Sequence, residues 1–142
     1  MKDVNAVPPN RFCWLDLAAT DALGATRFYE RLFGWTSREQ GANGGHFTRL
    51  RSSGQDVGSL YQLRREALRR DASSHWTPYV RVVDADAAAR RAGDVGGAVL
   101  VRPFDVPGIA RIALIVDAVG AQLGLWQSVA QPSHPVTNAR DA

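Results

Sequence analysis

The chain has 142 residues, 45% hydrophobic and 22% charged, a balance too apolar for a disordered segment and sufficient for one domain-sized core. Its formal charge is only +3, and the one basic cluster, Arg64, Arg65, Arg69 and Arg70, is interrupted by Glu66 and followed by Asp71. This argues for a solvated linker and against a nucleic-acid partner.

No apolar run approaches the roughly 20 residues of a membrane helix, and the opening MKDVNAVPPN has no leader-like apolar stretch. A cytoplasmic protein without a membrane partner is expected. The single cysteine, Cys13, excludes an intrachain disulfide and a cysteine zinc site, and its place between Phe12 and Trp14 points to core packing.

In chain order, Phe12 to Ala18 is an apolar run suited to a buried strand. Asp21 then caps a predicted helix from Ala22 to Phe33, closed by Gly34, whose stripe of Leu23, Phe28, Leu32 and Phe33 is expected to face the core. Three short strands are predicted near Trp35–Gln40, His46–Arg51 and Val57–Leu63, with turns at Asn43-Gly44-Gly45 and Ser53-Gly54. The second half repeats the order: strand Thr77–Val83, helix Asp84–Ala92, then strands near Ala98–Phe104, Ile109–Asp117 and Ala121–Ser128. Asp21 and Gly34 map onto Asp84 and Gly97, and Gly54 and Gly58 onto Gly120 and Gly124. Matches in one order across both halves argue for duplication. One domain over 1–142 is expected, with modules at about 10–63 and 75–128, a linker at 64–74 and a mobile tail at 129–142.

The stretches Trp14-Leu15-Asp16-Leu17, Phe28-Tyr29-Glu30-Arg31-Leu32-Phe33-Gly34-Trp35, Trp76-Thr77-Pro78-Tyr79-Val80 and Gly120-Ala121-Gln122-Leu123-Gly124-Leu125-Trp126 resemble a glyoxalase-like subgroup of the glyoxalase/bleomycin-resistance/dioxygenase (vicinal-oxygen-chelate) superfamily. The resemblance covers roughly residues 10–128. It implies an α+β fold of two tandem βαβββ modules forming a cupped mixed sheet, and a homodimer. It also implies metal ligands on the first and last strand of each module, at positions that here hold Trp14, Gly58, Thr77 and Gly124. None of these is a usual ligand, so no metal and no other cofactor is expected. His46, His75 and His134 could form a displaced site only with carboxylates brought from elsewhere.

Residues two apart in a strand share a face. If Trp14 faces the cup, Phe12 and Asp16 do too, while Cys13, Leu15 and Leu17 pack beneath the helices. The repeat adds Thr77, Tyr79 and Arg81 on the fifth strand and Gln122, Gly124 and Trp126 on the last. Phe47 and Arg49 are assigned to the cup, with Ala113, Ile115 and Arg111 by the repeat. Aromatic walls, several arginines, one acid and space left by Gly58 and Gly124 suit a planar, partly polar ligand. Each aromatic equally suits plain core packing, and for Asp16 a structural ion pair with Arg49, Arg81 or Arg111 is the favoured expectation, because a carboxylate inside a sheet must be paired or desolvated.

No Gly-x-Ser-x-Gly elbow, Walker loop, dinucleotide fingerprint or His-Glu-x-x-His occurs. Three functions stay open. The first is a metal-free protein that sequesters a small organic molecule or secondary metabolite, as in antibiotic resistance. The second is a metal-independent isomerase, cyclase or lyase with Asp16 as general acid or base. A metal-dependent lyase or dioxygenase is the third, disfavoured by the missing ligands.

Overall fold

The computed structural model describes residues 3–42 and 45–129. The elements are β1 (Phe12–Ala19), α1 (Ala22–Phe33), β2 (Thr36–Ala42), β3 (Gly45–Ser52), β4 (Gln55–Gln62), α2 (Arg65–Arg69), β5 (His75–Arg81), α3 (Ala85–Asp94), β6 (Ala98–Val106), β7 (Ala110–Val116) and β8 (Gln122–Ser128). The expected βαβββ order therefore occurs twice. All eight strands form one curled sheet in the order β2-β3-β4-β1-β5-β8-β7-β6. Within each module the first and last strands pair in parallel, β1 with β4 and β5 with β8, and the modules join through antiparallel β1 and β5. The segment expected as a plain linker contains the short helix α2. Asn43 and Gly44 of the expected first hairpin turn, and the expected mobile tail from 130 onward, lie outside the described residues.

Local chemistry sets the helix ends. Asp21 and Asp84 accept hydrogen bonds from the backbone N–H of Gly24 and Ala87, at 2.9 and 3.1 Å, as N-cap side chains do. Gly34 ends α1 in the left-handed region at φ 71°, where a residue without Cβ carries no steric penalty.

One expectation about α1 reverses. Its sheet-facing side is made of Ala22, Ala25 and Tyr29, which pack on Leu17, Ala19, Leu50 and Leu60. Leu23, Phe28, Leu32 and Phe33 are 56–60% exposed instead. Small residues let the helix lie close on the sheet, and at helical spacing the large ones are turned outward. In the second module α3 likewise packs through Ala88, Ala89 and Ala92 on Ala113, Ile115, Leu123 and Leu125. Both helices thus cover one face, and the other is the inside of the cup.

Candidate functional site

Residues directly opposite one another in neighbouring strands point to the same face, so the pairing register reads out the cup floor. One row crosses five strands: Arg38 of β2 faces Arg49 of β3, Arg49 faces Ser59 of β4, Ser59 lies beside Asp16 of β1, and Asp16 faces Thr77 of β5. Gln122 of β8 continues it by donating to Thr77 Oγ1 at 2.9 Å. Its amide also lies 3.4 Å from His75 Nε2. His75 Nδ1 is 2.8 Å from the Ser73 carbonyl, which can only accept, so Nδ1 carries the proton and Nε2 is left as the acceptor.

Asp16 sits at the centre of the row with no cation paired to it among the described residues. The Trp14 indole N–H donates to Ser59 Oγ at 2.8 Å, and Ser59 Oγ donates to Asp16 Oδ1 at 2.7 Å. The three arginines weighed as ion-pair partners are engaged elsewhere: Arg49 with Asp56, Arg81 with the carbonyls of Asn5 and Val7, and Arg111 with Asp86 and Asp105. Burial therefore dominates and pushes the Asp16 carboxyl up from 3.8 to about 7, with the Ser59 hydrogen bond acting in the opposite direction. Beside it, the Tyr61 phenol is raised by burial and by the Asp16 charge, and lowered by Arg64. A carboxyl balanced between its two forms near neutral pH can take up or release a proton.

Several expectations about the lining change. The register slips between Phe12 and Trp14, so Phe12 faces Val80 on the helix-bearing side and is 68% exposed. Cys13 joins the cup-side cluster with Trp14 instead of packing under a helix, and burial pushes its thiol up to about 11 against the pull of Arg81. Leu15 is 40% exposed, whereas Leu17 packs beneath α1 as expected. A second slip, between Leu50 and Arg51, leaves Gly58 opposite the buried Leu50 on the α1 side, where an added Cβ would lie 2.6 Å from the Leu15 carbonyl. Ser59, not Gly58, therefore occupies the cup position. Gly124 does face the cup, yet its space is filled by the Tyr79 ring, 2.3 Å from where a Cβ would stand. Ala113 and Ile115 pack under α3, and Arg111 reaches Asp86 of that helix at 2.8 Å, so all three leave the lining.

The aromatics largely pack on each other. Trp14 and Trp126 lie 5.5 Å apart by centroid, Tyr79 meets Trp126 edge-on at 6.0 Å, and all three are buried with Val7 and Ala110. Arg81 holds the amino-terminal segment over this cluster through the Asn5 and Val7 carbonyls.

No family model matches the chain. It is 31% identical over 142 residues to the anthracycline biosynthesis protein DnrV of Streptomyces peucetius, covering 91% of this chain and 51% of that one. It is 32% identical over 117 residues to the putative glyoxylase CFP32 of Mycobacterium tuberculosis, covering 81% of this chain and 44% of that one. The chain spans about half the length of these curated relatives. Among solved structures, a variant of Streptomyces coelicolor methylmalonyl-CoA epimerase in complex with 2-nitronate-propionyl-CoA superposes with a TM-score of 0.63 at 22% identity, over 87% of this chain and 97% of the other. The methylmalonyl-CoA epimerase of Mycobacterium tuberculosis superposes at 0.62 with 19% identity, over 91% and 97%. The fold is that of the vicinal-oxygen-chelate superfamily.

The metal associated with this superfamily does not fit the residues present. Trp14 spends its N–H on Ser59, Gly124 has no side chain and lies under Tyr79, and Thr77 accepts from Gln122. With Ser59 in place of Gly58 the set still lacks an imidazole or carboxylate, and among the described residues no three His, Cys, Asp or Glu side chains cluster. His46 is exposed on β3, and His134 lies outside the described residues. Sequence reasoning missed Ser59, Tyr61 and Arg38. Ser59 was one residue from the assigned position, and only the β4 irregularity, invisible to strict alternation, separates the two.

Proposed function

We propose that this chain binds a small organic molecule on the cup floor, without a metal, and moves a proton on it with Asp16, the chemistry of an isomerase, cyclase or lyase. The carrying observation is the unpaired, burial-raised carboxyl of Asp16 at the centre of the row. Ser59 holds Oδ1. Oδ2 has no hydrogen bond among the described residues and is the atom that would accept a proton from the ligand and return it. Tyr61 and Thr77 flank it, and Gln122 orients Thr77. The relation to an anthracycline biosynthesis protein supports a secondary metabolite as the ligand, and the epimerase fold supports proton transfer.

Two readouts on candidate polyketides and acyl thioesters test this: quenching of tryptophan fluorescence for binding, and incorporation of deuterium from D2O into the bound molecule for proton transfer. The native protein should show both, and Asp16→Asn should keep quenching while losing exchange. Exchange that survives Asp16→Asn would remove the carboxyl from the mechanism. Quenching without exchange in the native protein would make this a sequestering protein.

The exposed apolar side of α1, with Leu23, Phe28, Leu32 and Phe33, supports a homodimer. Light scattering should give twice 15.4 kDa at micromolar concentration, falling to the single-chain mass in Phe28→Glu. A native protein already at the single-chain mass would contradict this.

A further inference from the structure

The outer end of the row carries more positive charge than its neighbours neutralise. Arg38 and Arg49 stand directly opposite each other on β2 and β3, and Arg51 lies two residues further on the same face. Like charges placed directly across a sheet repel unless something of opposite sign lies between them. Among the described residues the one carboxylate bonded there is Asp56, 3.2 Å from Arg49 and 3.3 Å from Arg51. Glu39 lines the groove through its strand but faces Thr48, which pairs with the buried Leu60, so its side chain belongs to the other face. Gln40 Oε1 accepts from Arg49, and the Gly54 carbonyl accepts from Arg51. Among the described residues these contacts leave Arg38 without a partner and the buried Nε of Arg49 without a hydrogen bond, while Arg51 Nε meets only Asp56 Oδ1. The groove they line, with Gln40 and Gly41, has a volume of about 550 Å³ and opens to solvent.

We infer that this groove binds an oxyanion, the carboxylate or phosphate of the small molecule whose other end reaches Asp16. Guanidinium groups present planar, paired donors that match both anions. Three of them against one carboxylate leave the charge an oxyanion would complete. Strands lie roughly 4.8 Å apart, so the Arg49 backbone is roughly 10 Å, and that of Arg38 roughly 14 Å, from the Asp16 backbone along one straight row. The assignment of the far end rests on the proposed role of Asp16, whereas anion binding in the groove does not.

The test is an NMR titration of the arginine Nε–H signals with sodium phosphate and, separately, sodium benzoate, at ionic strength held constant with sodium chloride. Saturable shifts at Arg49 and Arg51 are expected, with the tighter of the two anions naming the group. Arg38→Gln, which removes no contact in the free protein, should weaken saturation about tenfold, the loss of one charge-assisted hydrogen bond. Arg49→Gln should weaken it at least as far. Asp16→Asn should leave the titration unchanged, so failure of the Asp16 mechanism alone would not touch this result. Shifts that grow linearly with either anion, or saturation unaltered in both arginine variants, would overturn the assignment.

Discussion

The two halves of the cup floor are built from the same strand order and carry opposite chemistry. The first module places Arg38, Arg49, Arg51, Asp56, Ser59 and Asp16 on its inner face. The second places Tyr79, Ala110, Ile112, Leu114 and Trp126 there, and closes them under Val4 and Val7 of the amino-terminal segment. The register makes the contrast explicit: Arg49 opposite Ser59 is matched by Leu114 opposite Gly124. Duplication supplied one scaffold twice. Divergence then made one copy a polar floor and the other a packed wall, so the ligand chemistry gathers on the first module and at the β1–β5 seam.

The sharpest way to break this comparison is to cut into the packed half. Trp126→Ala removes a ring that is 7% exposed and shared by Trp14 and Tyr79, and should destabilise the fold by about 3–5 kcal/mol in urea denaturation. A loss below about 1 kcal/mol would show that the wall is not core, and would return Trp126 to the ligand site.

Making the second module imitate the first is the next test. Gly124→Ser places the counterpart of Ser59 under the Tyr79 ring, where the first added atom stands 2.3 Å from a ring carbon. Tyr79 must shift, and a stability loss of about 1–3 kcal/mol is expected.

In the polar half the effect depends on pH. The folded-state value for Asp16 is raised from 3.8 to about 7, so the native protein holds a proton that the unfolded chain releases. Stability associated with this group is present below about pH 4 and is lost as pH rises to about 7. Asp16→Asn should therefore match or trail the native protein at pH 4 and exceed it at pH 8 by about 1–3 kcal/mol, measured by chemical denaturation. A variant less stable at pH 8 would mean that an unrecognised cation compensates the carboxylate.

The smallest effect is expected at the rim. Arg38→Gln should leave the unfolding free energy within about 0.5 kcal/mol of the native value, as for a surface side chain without partners among the described residues. Because Arg38 faces Arg49 across the strands, a slight gain sharpens the picture of an electrostatically strained groove.

How much of this was legible in the residues depended on the range of the interactions involved. Helix caps at Asp21 and Asp84, the alternation that put Asp16, Thr77 and Gln122 on one face, and the duplicated strand order are short-range or periodic features, and the sequence alone determined them. Core packing and ligand stacking were equally open for Trp14, Tyr79 and Trp126, because an aromatic at a given parity suits both. Only the tertiary structure decided what depends on register. Irregularities beside Phe12 and Leu50 turned Phe12 and Gly58 to the helix side, and a one-residue offset between modules moved Arg111, Ala113 and Ile115 there too. A strand side chain changes face with every residue, so one unpaired residue reverses all that follows. The large residues of α1 turned outward for a related reason: amphipathicity names two faces but not which one meets the sheet, and Ala22, Ala25 and Tyr29 allowed the closer approach.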